Sequence, residues 1–344
     1  MKPIYASSTY RQEIINFANE HDFAFLENKT LLISGASGML MSYWIDALLS
    51  RPSFAVQIIA LTSSGSVTNR FPADSRLRSI KGDLSKPLSS NLIPKVDYII
   101  HAASITDPKG YKERPIETML INIEGTKSLL DIAGRDNAKF LLVSSCEIYG
   151  EADVEPIPET YCGKLNSMDV RSCYNESKRA SETLAVSYAV EKKVSVYVAR
   201  LSRSYGPTMS AKDTKAMSQF IQNAVHGAPV LLKSLGDQRY SFTYVADGVS
   251  AILAILEKGK PGEAYNICGD EVLSLKEIAE LVASIGGVPF HQELIQDSLS
   301  EAGYSRAKNA IQDATKLKML GWKAKTTLAE GVANTIKHFR ELAV

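Results

Sequence analysis

Thr30-Leu-Leu-Ile-Ser34 runs without a break into Gly35-Ala-Ser-Gly38-Met-Leu-Met41, and the helical pattern of Met39–Leu49 follows. An apolar run of strand length, a turn with two glycines three apart and a helix make one physical unit. In it, backbone N–H groups at a helix N-terminus can approach a pyrophosphate. The third position of that pattern, usually glycine, is Met41 here. A methionine where the helix should pack closely predicts a local displacement.

Outward from this unit, apolar runs at 56–61, 77–80, 96–101, 140–144 and 194–200 alternate with helix-length segments such as 116–133 and 176–191. That alternation predicts an α/β fold with a doubly wound parallel (Rossmann) sheet. Residues 10–27, with Ile14, Ile15, Phe17, Phe23 and Phe25, read as a lone amphipathic helix. After Gly206-Pro207 the alternation breaks up, and helices are expected at 212–226, 275–286 and 327–341. The expected organisation is an N-terminal helical extension (1–28), a mainly dinucleotide-binding unit (29–205) and a mainly substrate-binding lobe (206–344). Some strands and helices of the lobe return to the second unit, and the lobe covers the sheet's ligand edge.

The 344 residues are 45% hydrophobic and 22% charged, as in an ordinary water-soluble protein. A net charge of +1 and the absence of a basic stripe with interleaved aromatics argue against nucleic acid as a partner. No apolar run approaches the roughly 20 residues of a membrane span, and the first residues lack the apolar core of a signal peptide. Cys146, Cys162, Cys173 and Cys268 form no metal-ligand spacing, so no metal is expected. A reduced, cytoplasmic protein is the expectation.

A dinucleotide lying across the strand ends would meet Gly35, Ser37, Gly38, Met39 and Leu40 in the first turn, and Thr62 and Ser63 after the second run. It would then meet Asp83 and Leu84 after the third run, and Ala102, Ala103 and Ser104 after the fourth. Asn122, Ser144, Leu201 and Ser204 complete the expected cofactor contacts, together with Tyr174 and Lys178. The segment after the second run carries no acidic residue for a ribose 2′-OH. Ser63, Ser64 and the more distant Arg70 are instead able to receive a 2′-phosphate. On these residues NAD and NADP both stay open.

Tyr174-Asn-Glu-Ser-Lys178 places a phenol and an ammonium on one helix face. A tyrosine of pKa about 10 is a poor base at neutral pH. A neighbouring ammonium and a positive nicotinamide ring stabilise the phenolate. Upstream, a strand ends in Ser144-Ser145-Cys146-Glu147, which supplies a third hydroxyl, Ser145.

With these pieces the chain resembles the extended short-chain dehydrogenase/reductases that modify nucleotide sugars, over essentially residues 29–340. The resemblance is carried by Gly35-x-x-Gly38, His101-Ala-Ala103, Asn122-x-x-Gly125-Thr126, Tyr149-Gly150 and Tyr174-x-x-x-Lys178. Downstream it continues in Arg200-x-x-x-x-Tyr205-Gly-Pro207, Tyr244-Val-x-Asp247, Tyr265-Asn-Ile267 and Leu320-Gly-Trp322. Within the family the UDP-glucuronate decarboxylase group is the nearest likeness. Its pattern reappears in Glu159-x-Tyr161-x-Gly163-x-x-Asn166-x-x-x-x-Arg171-x-Cys173-Tyr174-x-Glu176-x-Lys178-Arg179. The resemblance implies a nucleotide-sugar substrate, oxidation at sugar C4 by a tightly held NAD⁺, and return of hydride to a modified sugar. It also implies catalysis by Tyr174, Lys178, Ser145 and Glu147, and a homodimer paired through helices 116–133 and 176–191.

Between oxidation and return lie three fates. Elimination of water wants an acid for the leaving hydroxyl. The 4,6-dehydratases carry Asp-Glu where this chain has Cys146-Glu147, and a thiol of pKa about 8.5 is a weak acid. Decarboxylation needs the carboxylate held and C5 reprotonated; epimerisation needs the ring re-faced. The decarboxylases' arginine is replaced by Tyr240, with Arg239 beside it, and Arg203 stands where relatives carry asparagine. A one-residue change in backbone path would bring Arg239 into the pocket. Ser145, Cys146, Glu147, Arg203, Lys215, Phe220, Arg239, Tyr240 and Arg306 are the expected substrate contacts. A net reductase that releases its cofactor each turnover, or a scaffold without turnover, are the other readings.

Overall fold

The computed structural model describes residues 3–211, 213–293 and 309–343. The strands among the described residues are β1 (Lys29–Ser34), β2 (Val56–Thr62), β3 (Leu77–Lys81), β4 (Tyr98–His101), β5 (Lys139–Ser145) and β6 (Val196–Leu201), then β7 (Arg203–Tyr205), β8 (Val230–Leu232), β9 (Arg239–Tyr244), β10 (Ala264–Ile267), β11 (Val272–Ser274), β12 (Phe290–Gln292) and β13 (Asn309–Ala310). The helices are α1 (Ser8–Glu20), α2 (Met39–Leu49), α3 (Pro108–Glu113), α4 (Pro115–Asp136), α5 (Ser172–Lys192), α6 (Ala216–Val225), α7 (Val245–Lys258), α8 (Leu275–Gly286), α9 (Thr315–Lys318) and α10 (Leu328–Ala343).

Seven strands form a sheet in the order β10-β6-β5-β4-β1-β2-β3, every neighbouring pair parallel. A parallel sheet is covered on both faces, so its strands need continuous apolar runs. Leu31 and Ile33 of β1 point into one core, with Trp44 and Leu48 of α2 and Ile252 of α7. Leu32 points into the other, with Leu129 and Ile132 of α4 and Ala185 of α5. The chain winds from β1 out to β3, then returns to β4 and proceeds the opposite way. The strand order therefore reverses between β1 and β4, and ligands enter at the carboxyl ends of the strands there. β10 comes from the C-terminal part of the chain and pairs with β6. β7 pairs with β9 outside the main sheet.

The expected helix over 10–27 is two elements. α1 stops at Glu20, His21 leaves helical geometry, and a separate short turn begins at Ala24. The Asp22 carboxylate accepts from the Ala24 N–H at 2.8 Å, offering the backbone a local alternative to the helix. α1 packs on α2 and α10. Its N-terminus is held by Glu341 of α10, which accepts from Ser7 Oγ (2.7 Å) and Thr9 Oγ1 (2.6 Å). Desolvation pushes the Glu341 carboxyl up, but these donors outweigh it and bring it to about 2.

α5 begins at Ser172, ahead of the expected start, so Tyr174 lies inside the helix. α3 was not expected; Pro108 sits in its first turn behind Asp107, whose carboxylate accepts from the Gly110 N–H. Met41 is buried in the core beside Trp44.

Candidate active site

A cleft of about 1670 Å³ opens at the reversal point, walled by the ends of β1, β2, β4, β5 and β6 and by β7, α6 and β9. Gly35 has φ +70°, and a Cβ there would lie 2.8 Å from Ala103 N and 2.9 Å from the Ala102 carbonyl. Only glycine fits so tight a pass. Gly38 is the N-cap of α2 and provides no side-chain cap, so the first N–H groups of that helix stay open to an anion. Ser34 Oγ bonds His101 Nδ1 at 2.7 Å and accepts from the Ala102 and Ala103 N–H groups, both at 3.2 Å. The split between β1 and β4 is thereby locked. This glycine cradle fits a dinucleotide pyrophosphate, and Gly35, Ser37, Gly38, Met39 and Leu40 would hold it.

At the far end Thr62, Ser63 and Ser64 reach the cleft wall, and the segment they form after β2 carries no acidic residue, the nearby carboxylate being Asp83 after β3. Arg70 also reaches it, but its Nη2 lies 2.5 Å from Asp46 Oδ2 of α2, and the Tyr5 and Tyr10 hydroxyls donate to the same carboxylate. Arg70 thus borders the cleft with its guanidinium already paired to a buried carboxylate. Asp83 is exposed, and its carboxylate accepts from Ser85 N (3.0 Å) and Oγ (2.6 Å).

The floor of the cleft holds the phenol and the ammonium. Tyr174 is buried and stacks on Tyr111 of α3, ring centroids 5.0 Å apart at 28°. Lys178 is buried, donates to the Val143 carbonyl at 2.8 Å and lies 6.0 Å from the Tyr174 ring centroid. Burial brings the Lys178 ammonium down to about 8, although Glu182 pulls the other way. Burial also raises the Tyr174 phenol, against the hydrogen bond from Ser145 that lowers it. Desolvation outweighs the lowering by Ser145 and Arg171, and without the cofactor's positive charge the side chain rests as a neutral phenol.

Beside them Glu147 faces two guanidinia. Arg171 Nη2 is 2.8 Å from one carboxylate oxygen and Arg203 Nη2 is 3.4 Å from the other. Burial raises the Glu147 carboxyl, yet Arg203 and Arg171 more than offset it and hold it below the usual carboxylate range. Asn175 fixes this corner, accepting from Arg171 Nη1 at 2.6 Å and donating to the Glu147 carbonyl at 2.5 Å. Burial pushes the Cys146 thiol up to about 11.

Of the residues expected at the site, Asn122 and Arg239 do not border the cleft, and Arg306 lies outside the described residues. The others do, Leu84, Ser104, Ser144, Leu201, Ser204, Lys215, Phe220 and Tyr240 among them. Asn122 is buried between α4 and α5, its Nδ2 donating to Ser177 Oγ at 2.9 Å and its Oδ1 without a hydrogen-bond partner. Arg239 is half exposed and 3.5 Å from Glu155. Side chains alternate along β9, so with Tyr240 turned into the cleft Arg239 is turned out of it. The expected shift of backbone path does not occur. Three residues of the site were missed: Tyr111, Arg171 and Asn175. Arg171 stood inside the quoted decarboxylase-like pattern, and the Asp107-Pro108 helix start pointed to α3 and hence Tyr111.

A Rossmann sheet with this glycine turn and a buried Ser145–Tyr174–Lys178 set defines a short-chain dehydrogenase/reductase of the extended kind. The chain belongs to the NAD dependent epimerase/dehydratase family, whose model matches residues 31–268. It is 32% identical over 316 residues to UDP-glucuronic acid decarboxylase 5 of Arabidopsis thaliana, covering 91% of this chain and 90% of that protein. Among solved structures it is similar to UDP-glucuronic acid 4-epimerase from Bacillus cereus in complex with UDP-glucuronic acid and NAD, with a TM-score of 0.78, 22% identity and coverage of 91% and 99% of the two chains. The dTDP-glucose 4,6-dehydratase DesIV from Streptomyces venezuelae superposes with a TM-score of 0.77 at 24% identity, covering 91% of this chain and 97% of that one.

Proposed function

We propose that this enzyme oxidises the C4 hydroxyl of a nucleotide-linked sugar, with UDP-glucuronate as substrate and decarboxylation as outcome. The observation that carries the reading is the burial of Tyr174 and Lys178 side by side beneath Ser145, at the dinucleotide end of the cleft. Bound NAD⁺ supplies a hydride acceptor, the same hydride back and a positive charge near the phenol. With that positive charge and the Lys178 ammonium beside it, Tyr174 would first lose its own proton to solvent; as phenolate its Oη would take the C4 hydroxyl proton and later return it, while Ser145 hydrogen-bonds the reacting oxygen. Lys178 would hold the nicotinamide ribose and, as an ammonium, disfavour reprotonation of Tyr174 from solvent. The 4-ketone makes the C5 substituent labile, since a 4-keto-5-carboxylate is a β-keto acid.

Elimination of water is the poorer fit. It needs a proton donor for the leaving hydroxyl, whereas burial pushes the Cys146 thiol up to about 11 and two arginines hold Glu147 as a carboxylate. Decarboxylation has no leaving hydroxyl to protonate, the enolate left at C5 taking its proton from water after CO2 departs, and the similarity to a UDP-glucuronic acid decarboxylase over nine-tenths of the chain supports it. A 4-epimerase acting on the same substrate is the second reading, favoured by a guanidinium, that of Arg203, held in the cleft beside Glu147, where it could keep a substrate carboxylate from leaving. Exposed Ile116, Met119 and Leu120 on α4 and Val186 and Val190 on α5 support pairing of two subunits through these helices. Four free cysteines support a reducing, cytoplasmic setting.

The test is a substrate panel with the purified protein. UDP-glucuronate should yield CO2 and a UDP-pentose without added cofactor. Inertness toward UDP-glucuronate with turnover of UDP-glucose, or net accumulation of free NADH, would overturn the reading.

A further inference from the structure

Arg203 and Tyr240 meet across two strands that pair in parallel, β7 and β9. The Arg203 guanidinium carbon lies 3.6 Å from the Tyr240 ring centroid, a close cation–π contact. Its Nη2 faces Glu147, but its Nη1 is buried with no hydrogen-bond partner. A buried donor left unpaired is costly, more so on a charged group. Glu147 is also bonded by Arg171, so one carboxylate is shared by two guanidinia and the corner keeps one positive charge in excess. An anion brought by a ligand would use both the free donor and the excess charge. The position narrows which anion. Glu147, to which Arg203 is paired, donates its N–H to Ser145 Oγ at 3.2 Å, so Arg203 stands beside the hydroxyls that address C4. On a uronic acid the carboxylate sits on C5, next to C4, whereas the diphosphate hangs from C1.

We propose that Arg203 is the residue that binds the substrate carboxylate, reaching it from β7 with Tyr240 as its platform. The proposal rests on the reading above that a nucleotide-linked uronic acid occupies the cleft. The Arg203 fork binds carboxylate with two donors, and Tyr240 holds it in place.

Affinities of the NAD-loaded protein for UDP-glucuronate, UDP-glucose and UDP test this, by titration calorimetry on wild type, Arg203→Asn and the double variant Arg203→Asn/Tyr240→Arg. Loss of a charge-assisted pair should weaken UDP-glucuronate about 10- to 100-fold, with its KM rising alike. UDP-glucose and UDP should change less than about threefold, the level of a rim contact. The double variant carries a guanidinium across the same contact and should recover at least about tenfold for UDP-glucuronate alone. Equal weakening of all three ligands would assign Arg203 to the diphosphate, and unchanged UDP-glucuronate affinity would assign it to Glu147 only; either overturns the proposal. If Arg203→Asn fails to retain NAD, Arg203→Lys replaces it. A loss confined to UDP-glucuronate then supports the proposal, and a uniform loss overturns it. A wild type that binds UDP-glucose and not UDP-glucuronate would overturn the uronic-acid reading itself. Binding of UDP-glucuronate without turnover would leave Arg203 in place and remove only the proposed reaction.

Discussion

Tyr174→Phe separates chemistry from structure. The ring stays buried and stacked on Tyr111, so the packing of α5 on α3 is kept. What goes is one hydroxyl and its hydrogen bond with Ser145, whose Oγ still accepts from the Glu147 N–H at 3.2 Å. Ser145 is therefore not orphaned, and the stability loss should be about 1 kcal/mol or less. Burial already holds the phenol neutral, so no buried charge is left unbalanced. Turnover, in contrast, loses its proton acceptor and should fall about 100- to 10,000-fold. That range equals about 2.7–5.5 kcal/mol of barrier at about 1.36 kcal/mol per tenfold. The assays are product formation from UDP-glucuronate by NMR, retained NAD by absorbance after denaturation, and thermal melting. Activity within about tenfold of wild type would refute the role of Tyr174. Loss of bound NAD together with a large drop in melting temperature would show that the residue is structural.

Three further outcomes follow from the same geometry. Gly35→Ala puts a methyl against the Ala102–Ala103 backbone at positive φ and should cost about 1–3 kcal/mol. NAD binding should fall with it, and unchanged melting and affinity would contradict the cradle. Arg239→Ala removes only a half-exposed pair with Glu155, so kcat/KM should change less than about threefold; a loss of tenfold or more would place Arg239 in the cleft after all. In cofactor-free protein Lys178 should titrate near 8. Between that pH and its unfolded value of about 10.4 the unfolded chain binds the extra proton, so stability should rise with pH. The burial penalty, full below about 8, is relieved across this window. Lys178→Met should flatten that rise, and an identical pH profile in the variant would refute the assignment.

Much of the fold was legible because parallel strands buried on both faces leave continuous apolar runs, as in β1, β4 and β5. The Gly35 turn was legible because its backbone path leaves no room for a Cβ. Tyr174, Lys178 and Ser145 were found by spacing along one helix and one strand end. The other corner was not readable in that way. Whether residue 239 or 240 enters the cleft depends on strand parity, and a shift of one residue exchanges the faces. The Arg203–Tyr240 contact joins strands that pair only after the chain has passed through α6 and β8. Arg171 reaches Glu147 because α5 starts at Ser172, a boundary that composition left several residues too late. The N-terminal segment read as a helix, but its docking on α2 and α10 through Asp46 and Glu341 is a tertiary fact.

In the proposed reaction hydride leaves sugar C4 and returns to the same sugar through a cofactor that stays bound. The direct measurement is the fate of deuterium in UDP-glucuronate labelled at C4, with NAD-loaded enzyme and no added cofactor. Proton NMR of the product should find the deuterium retained at C4 of the UDP-pentose over many turnovers. Deuterium lost to water, or held in free reduced cofactor with product formation stopping after one turnover, would contradict the account.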